Sequence, residues 1–312
     1  MITVVLVALA FAFAWSIGSH YTGACMGMPY ALGAISARRA LVLMAPLALL
    51  GAWLASGKVA TTVGRKLIDA TPTRLGEVVV IAVAFGVTAI YNRIRIPTST
   101  IQILVGAVVG AAVASSVGVH WHTIGTLALI WVAAPPVAAA IGVLGARTLG
   151  SVQRVGAGLV IVGCLASFAM GANDVALASG ALVGPNVLSA RDAGLLCGVG
   201  LALGVLITGR GLLDRVAFDI VEVDRVTATT AQLVQALVIL IAVSFGYFTS
   251  MNQALVGAMA GAGSARGRHA VKTWNLLGIV RGWVTGPPTA FLLALLAALA
   301  VRAVAGADAL AR

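Results

Sequence analysis

The chain has 312 residues, of which 61% are hydrophobic and only 9% charged, and a formal net charge of +11. Soluble domains carry about a quarter charged residues, so this composition excludes one, and the solvent for most of the chain is lipid. The basic residues Arg38, Arg39, Lys58, Arg65, Lys66, Arg266, Arg268 and Lys272 sit in short connectors, where the bias of cytoplasmic loops accounts for them without a nucleic-acid partner.

Met1–Gly18 opens the chain as an apolar run without a basic start and continues into a polar motif. It is therefore expected to stay in the mature protein and not to be removed as a signal peptide. Further near-uncharged runs follow at Ala40–Ser56, Val78–Tyr91, Thr98–Gly118, Ile124–Gly145, Val155–Gly171, Val175–Val187, Ala193–Gly209, Thr227–Phe248, Ala254–Gly263 and Leu276–Val301. Several reach the roughly 20 residues that span a hydrocarbon core as a helix, and the shorter ones read as re-entrant. The expectation is an all-α polytopic protein of the cell membrane with about ten to twelve membrane elements, some of them broken helices. Cys25, Cys164 and Cys197 lie in apolar segments without CxxC spacing and read as packing residues. Arg210 and Arg281, flanked by apolar residues, either snorkel from helix ends or stand beside an anion.

One phrase is written twice. Trp131-Val-Ala-Ala-Pro135-Pro136 recurs 152 positions later as Trp283-Val-Thr-Gly-Pro287-Pro288. Gly18, Arg38 and Gly51 meet Gly171, Arg191 and Gly204 at a shift of 153, and Ser99, Gln102, Gly106 and Gly110 meet Ser250, Gln253, Gly257 and Gly261 at 151. The chain thus divides into two homologous transmembrane repeats, 1–152 and 153–312. An odd number of spans in each would make the pair inverted, the signature of a secondary transporter with its site at the repeat interface. The most polar connector, Gly209–Thr227, holds Asp214, Arg215, Asp219, Glu222, Asp224 and Arg225, and its first-half counterpart is Gly57–Gly76.

Polar groups at membrane depth must be paired or face a cavity, so four clusters stand out. Met170-Gly-Ala-Asn173-Asp174-Val-Ala carries Asp174, the one acidic residue read as lying deep in a membrane run. With Asn173 it suits a sodium ion, which takes oxygen ligands, or Asp174 titrates as a proton carrier. The matching segment Gly18-Ser-His20-Tyr21-Thr22 places His20 and Tyr21 opposite Asn173 and Asp174. Pro97-Thr98-Ser99-Thr100-Ile-Gln102 and Phe248-Thr249-Ser250-Met251-Asn252-Gln253 each precede a small-residue helix. Hydroxyls and free N–H groups at a helix start form an anion site, although Ser and Thr there also simply cap the helix. The candidate cation site is Asn173 and Asp174. The candidate anion site is Ser99, Thr100, Gln102, Ser250, Asn252, Gln253, His20, Tyr21 and Thr22.

On these residues the chain resembles the inorganic phosphate transporter family called PiT. The family signature G-A-N-D-V-A-N-A is similar to Gly171–Ala178, with Leu177 in place of the second Asn. Its P-x-S-T-T-H element resembles Pro97–Gln102 and Phe248–Gln253, and its W-V-x-T-P-P helix resembles Trp283–Pro288. The resemblance implies a symporter of two repeats with opposite topology, coupling sodium or proton entry to uptake of an inorganic oxyanion and needing no cofactor. It places the cation near Asn173 and Asp174 and the anion near the Ser/Thr clusters.

The departures bear on substrate. The first G-A-N-D is replaced by Gly18-Ser-His-Tyr, both family His positions are Gln102 and Gln253, and Met251 removes a hydroxyl. The pattern Gly18-x5-Ala24-x-Met26-Gly27-x2-Tyr30-x2-Gly33-Ala34-Ile35 is more similar to the sulfate permeases of the same superfamily. Phosphate near neutral pH carries protons that need acceptors, whereas sulfate carries none and prefers donors. Replacing a carboxylate with His20 and Tyr21 shifts the balance toward sulfate, with phosphate the alternative. A passive channel or an intramembrane enzyme is the rival class. The chain has no H-E-x-x-H, no G-x-S-x-G and no pair of membrane carboxylates read from sequence, which argues against the enzyme. The sequence leaves a homodimer open.

Overall fold

A computed structural model describes residues 1–93, 98–148, 155–215, 224–267, 273–306 and 309–310. Pro97, Asp219, Glu222, Arg268 and Lys272 lie outside the described residues. The described chain is helical, as a lipid solvent demands, because a helix satisfies its backbone groups within itself. In order the helices are α1 (Ile2–His20), α2 (Thr22–Ala31), α3 (Ala37–Ala55), α4 (Gly57–Arg65), α5 (Arg74–Arg93), α6 (Thr100–Ala114), α7 (Trp121–Thr148), α8 (Val155–Val183), α9 (Ala190–Thr208), α10 (Arg210–Arg215), α11 (Arg225–Ser244), α12 (Met251–Ala265) and α13 (Thr273–Ala305).

Eight segments of this series are long and apolar enough to cross a membrane, with α1 and α2 counting as one. The chain is a multi-pass membrane protein. Helices α6 and α12 have 15 residues each, about 22 Å at 1.5 Å per residue, which falls short of the roughly 30 Å hydrocarbon core. Both begin inside the protein, after extended residues at Ser99 and Ser250.

The interruption expected at Met170–Ala176 is absent. Helix α8 runs unbroken for 29 residues from Val155 to Val183. The segment contains no proline, and the Asn173 side chain bonds to Asp174 and to Thr249 instead of competing for its own backbone. Its counterpart does pause, at Tyr21 (φ −96°, ψ 5°) between α1 and α2. Even there Tyr21 N–H reaches the Ile17 carbonyl at 3.2 Å and Cys25 N–H reaches Tyr21 at 3.1 Å, so the two helices stay in line. The true breaks precede α6 and α12, the second of them entered through Gly246 at φ +78°, a conformation glycine adopts without strain.

Helix α8 is the most enclosed span, with 72% of its apolar window buried, against 17–22% for α7 and α13. Helices α1, α2, α3, α4, α9 and α11 pack on it, while α12 lies along α7 and α6 along α13. These contacts are reciprocal. A Cβ at Gly18 of α1 would strike the Leu201 carbonyl of α9, and one at Gly204 of α9 would strike Trp15 of α1. Gly171 of α8 meets Ala48 of α3, and Gly51 of α3 meets Phe168 of α8, in the same way. Without a hydrophobic drive between helices in lipid, such backbone-to-backbone approach supplies the packing energy.

The connectors carry the remaining expectations. Arg210 is exposed and faces Asp214 at 3.7 Å, and Arg281 is exposed. Cys25 and Cys197 are buried free thiols and Cys164 is half-buried. Glu77, in the first turn of α5, corrects the count of membrane carboxylates: it is only 7% exposed. It sits at the edge of an apolar run, and tertiary packing covers it, with Gly184 and Pro72 close by.

Candidate functional site

Helix α8 carries Asn173 and Asp174 to the middle of the bundle, where neither has any exposed surface. Asn173 Nδ2 donates to the Thr249 carbonyl at 2.9 Å and to Asp174 Oδ2 at 3.1 Å, while its Oδ1 accepts from Thr249 N–H at 3.3 Å. Among the described residues Asp174 Oδ1 has no hydrogen-bond partner. The Tyr21 hydroxyl lies alongside the same carboxyl group and pairs with Thr100 Oγ1 at 3.0 Å. A continuous line of contacts, Thr249 to Asn173, Asp174, Tyr21 and Thr100, therefore joins the starts of α12 and α6.

Those two starts are built alike. Ser99 and Ser250 are the N-cap residues, accepting from Gln102 N–H at 3.5 Å and Gln253 N–H at 3.4 Å. Capping satisfies one of the free N–H groups of a first turn, and the others still point beyond the helix. Thr98, Ser99, Thr100, Thr249 and Ser250 are all at most 1% exposed. The Gln102 and Gln253 side-chain oxygens and Thr249 Oγ1 are buried without partners among the described residues. Unpaired buried polar atoms are costly, and these belong to the residues at the two helix starts, where a polar ligand would satisfy them.

The repeated Trp-Pro-Pro helices brace both starts from outside. Trp131 Nε1 of α7 donates to the Phe248 carbonyl at 3.1 Å, just before Thr249. Thr98 Oγ1 donates to the Gly282 carbonyl of α13 at 3.2 Å. Among the described residues no lysine or arginine is buried, and the groups that the two helix starts offer an anion are N–H donors, hydroxyls and amides.

Of the residues singled out in the sequence, Asn173, Asp174, Tyr21, Thr100, Ser99, Ser250, Gln102 and Gln253 belong to this line of contacts or to the two helix starts it joins. His20 stands edge-on to the Tyr21 ring with centroids 4.8 Å apart. Thr22 differs: its hydroxyl donates to the Ser19 and Gly209 carbonyls, at 3.2 and 2.8 Å, and so holds α2 against the end of α9. Asn252 is half-buried on α12. Four residues were missed as members of this polar core. Thr249 reads as one hydroxyl among several, and Trp131 as part of a repeat, with nothing in the sequence to reveal their partners. Gln232 and Gln235 of α11 are fully buried, and their spacing within an otherwise apolar run was a legible signal.

The sequence model of the phosphate transporter family matches residues 17–157 and 147–294. A probable low-affinity inorganic phosphate transporter of Mycobacterium tuberculosis is 29% identical over 94% of this chain and 75% of its own length. The sulfate permease CysP of Bacillus subtilis is 27% identical over 88% of this chain and 81% of its own length. A solved structure titled as the sodium-dependent phosphate transporter superposes with a TM-score of 0.89, covering 97% of this chain and 99% of that one at 21% identity, which shows a shared fold. Matched by the family model along most of its length, the chain belongs to the phosphate transporter family, a family of transporters and not of enzymes.

Proposed function

We propose that the chain is a secondary active symporter of the cell membrane that carries a tetrahedral inorganic oxyanion together with a cation. The observation that carries this reading is the buried line of contacts joining two helix N-termini through Asn173, Asp174 and Tyr21. Two helix starts offer the anion partial positive charge and N–H donors. They do not neutralise a dianion, and among the described residues no lysine or arginine is buried to do so. A co-transported cation cancels the charge of the buried Asp174 carboxylate and so removes its repulsion of the anion, which ties binding of one ion to binding of the other.

Sodium fits the donor set: a carboxylate oxygen without a partner at Asp174 and an unpartnered hydroxyl at Thr249 are hard oxygen ligands. A sodium-dependent relative in the shared fold favours the same ion; a proton on Asp174 is the other outcome of the test. Sulfate is the favoured anion, a reading supported by Tyr21 standing where the family signature has a second carboxylate, which removes an acceptor for the protons that phosphate carries. Phosphate is the second reading, favoured by the names of several relatives. The reciprocal contacts of α1 with α9 and of α3 with α8 support two inverted repeats, 1–152 and 153–312.

The test is uptake of labelled sulfate and labelled phosphate into proteoliposomes, with a sodium gradient and a proton gradient applied separately. Accumulation that collapses when the cation gradient is dissipated is expected. Equal flux with and without the gradient would point to a passive channel.

A further inference from the structure

We infer that Gln232 is a positioning residue that holds α2, and with it Tyr21, in place for the anion, an assignment that rests on the proposed transport reading. Helix α2 contains Pro29. Proline has no N–H, so the regular bond from residue 29 back to the Cys25 carbonyl cannot form, and that oxygen needs a donor from elsewhere. The donor is Gln232 Nε2 of α11, which bonds the Cys25 carbonyl and lies 3.5 Å from that of Ala24. Gln232 has no exposed surface, so water offers no substitute.

The staple acts close to the site. Cys25 stands one helical turn after Tyr21, whose hydroxyl meets Thr100 and lies alongside Asp174. Helix α2 also lies against α8 at this same carbonyl, where a Cβ at Gly163 would come within 3.2 Å of the Cys25 oxygen and 3.1 Å of the Pro29 ring. Thr22 fixes its start through Gly209. With its start held by Thr22 and its proline turn lying against α8, the angle of α2 at its proline depends on the amide from α11. The first-half position matching Gln232 is Ile81, and α8 is continuous and contains no proline where α2 has one. The second half thus supplies an amide where a proline of the first half leaves a carbonyl open, and the first half has an apolar residue where no proline calls for one.

The experiment is a double-mutant cycle with Gln232→Leu and Pro29→Ala, read in two ways. One readout is the KM for sulfate and for phosphate in proteoliposomes. The other is hydrogen exchange of the α2 amides in detergent, which does not depend on transport. Gln232→Leu is expected to raise the KM about fivefold, the scale of one lost hydrogen bond, and to speed exchange along α2. Pro29→Ala returns an N–H to the Cys25 carbonyl, so the double variant is expected to recover both. If Gln232→Leu alone does not reach the membrane, recovery of folded protein in the double variant supports the staple. A double variant no better than Gln232→Leu overturns it. Coupled exchange with an unchanged KM overturns the positioning role, and coupled exchange in a protein that moves neither anion overturns that role together with the transport reading.

Discussion

Asn173 grips Thr249 with both ends of its carboxamide, donating to the carbonyl at 2.9 Å and accepting from the N–H at 3.3 Å. This two-point hold fixes the residue immediately before the cap of α12 from the middle of α8. Asn173→Ala would strip both partners from a backbone that water does not reach, at a cost of about 1–3 kcal/mol for each group left unsatisfied. Expected is a loss of anion affinity larger than any loss of protein from the membrane, measured as KM for uptake against the amount of extractable folded protein.

Asp174→Asn keeps the shape of the side chain and removes the charge. If the carboxylate holds the co-transported cation, the variant folds, and its uptake no longer responds to a sodium or a proton gradient. Gradient-driven accumulation at the wild-type level in this variant would remove Asp174 from the mechanism.

Tyr21→Phe deletes one hydroxyl, the partner of Thr100. A donor matters most to an anion that offers only acceptors, so sulfate uptake is expected to fall more than phosphate uptake, by about 0.5–1.5 kcal/mol in apparent affinity. Competition between the two labelled anions in the same liposomes reads the ratio directly. An unchanged ratio would remove Tyr21 from the choice of substrate.

Much of this arrangement was legible before any coordinates. Polar residues are expensive in lipid, so Asn173, Asp174 and the Ser/Thr clusters announced themselves against an apolar background. The matched glycines were visible as identities at fixed shifts, and each of Gly18, Gly51, Gly171 and Gly204 lies where two helix backbones touch. What the sequence hid was tertiary. A Gly-Ala-Asn-Asp motif looks like a helix break, yet α8 passes straight through it, because its polar groups find partners across the bundle. Glu77 looks like a residue at the edge of an apolar run, and it is buried beside Gly184, more than a hundred positions away in the sequence. Thr22 looks like a ligand, and its hydroxyl ties two helices together. Periodicity and composition say which groups must be satisfied, and only packing says by whom.

The close-packed glycines give a test independent of transport. A methyl group at Gly261 lands on the Ala139 carbonyl of α7, and rigid backbone on both sides leaves it nowhere to go. Gly261→Ala is expected to destabilise the protein by about 1–3 kcal/mol. Gly86 of α5 has nothing within 4 Å of such a methyl, so Gly86→Ala is expected to be neutral or to stabilise by up to about 1 kcal/mol through helix propensity. Thermal unfolding in detergent compares the two.

The last prediction concerns pH and the start of α11. Asp224 is its N-cap, accepting from Val226 N–H at 3.0 Å, Thr227 N–H at 3.2 Å and the Thr227 hydroxyl at 2.8 Å, with the Arg266 guanidinium 3.3 Å away. Partial burial pulls its carboxyl upward, but the Thr227 and Val226 bonds and Arg266 outweigh it, and the group is held below its ordinary value. A carboxyl held lower in the folded state than in the unfolded one contributes stability that is complete above the unfolded value, about 3.9, and is lost as pH falls through the folded one. At neutral pH, Asp224→Ala should therefore cost about 1 kcal/mol, the usual worth of an N-cap. That gap should narrow only below about pH 4, where the wild-type carboxyl takes up its proton. Unfolding midpoints of both proteins measured from pH 7 down to pH 3 test this. A gap that stays constant across that range would mean that the charge of Asp224 contributes nothing and that its shape alone caps the helix.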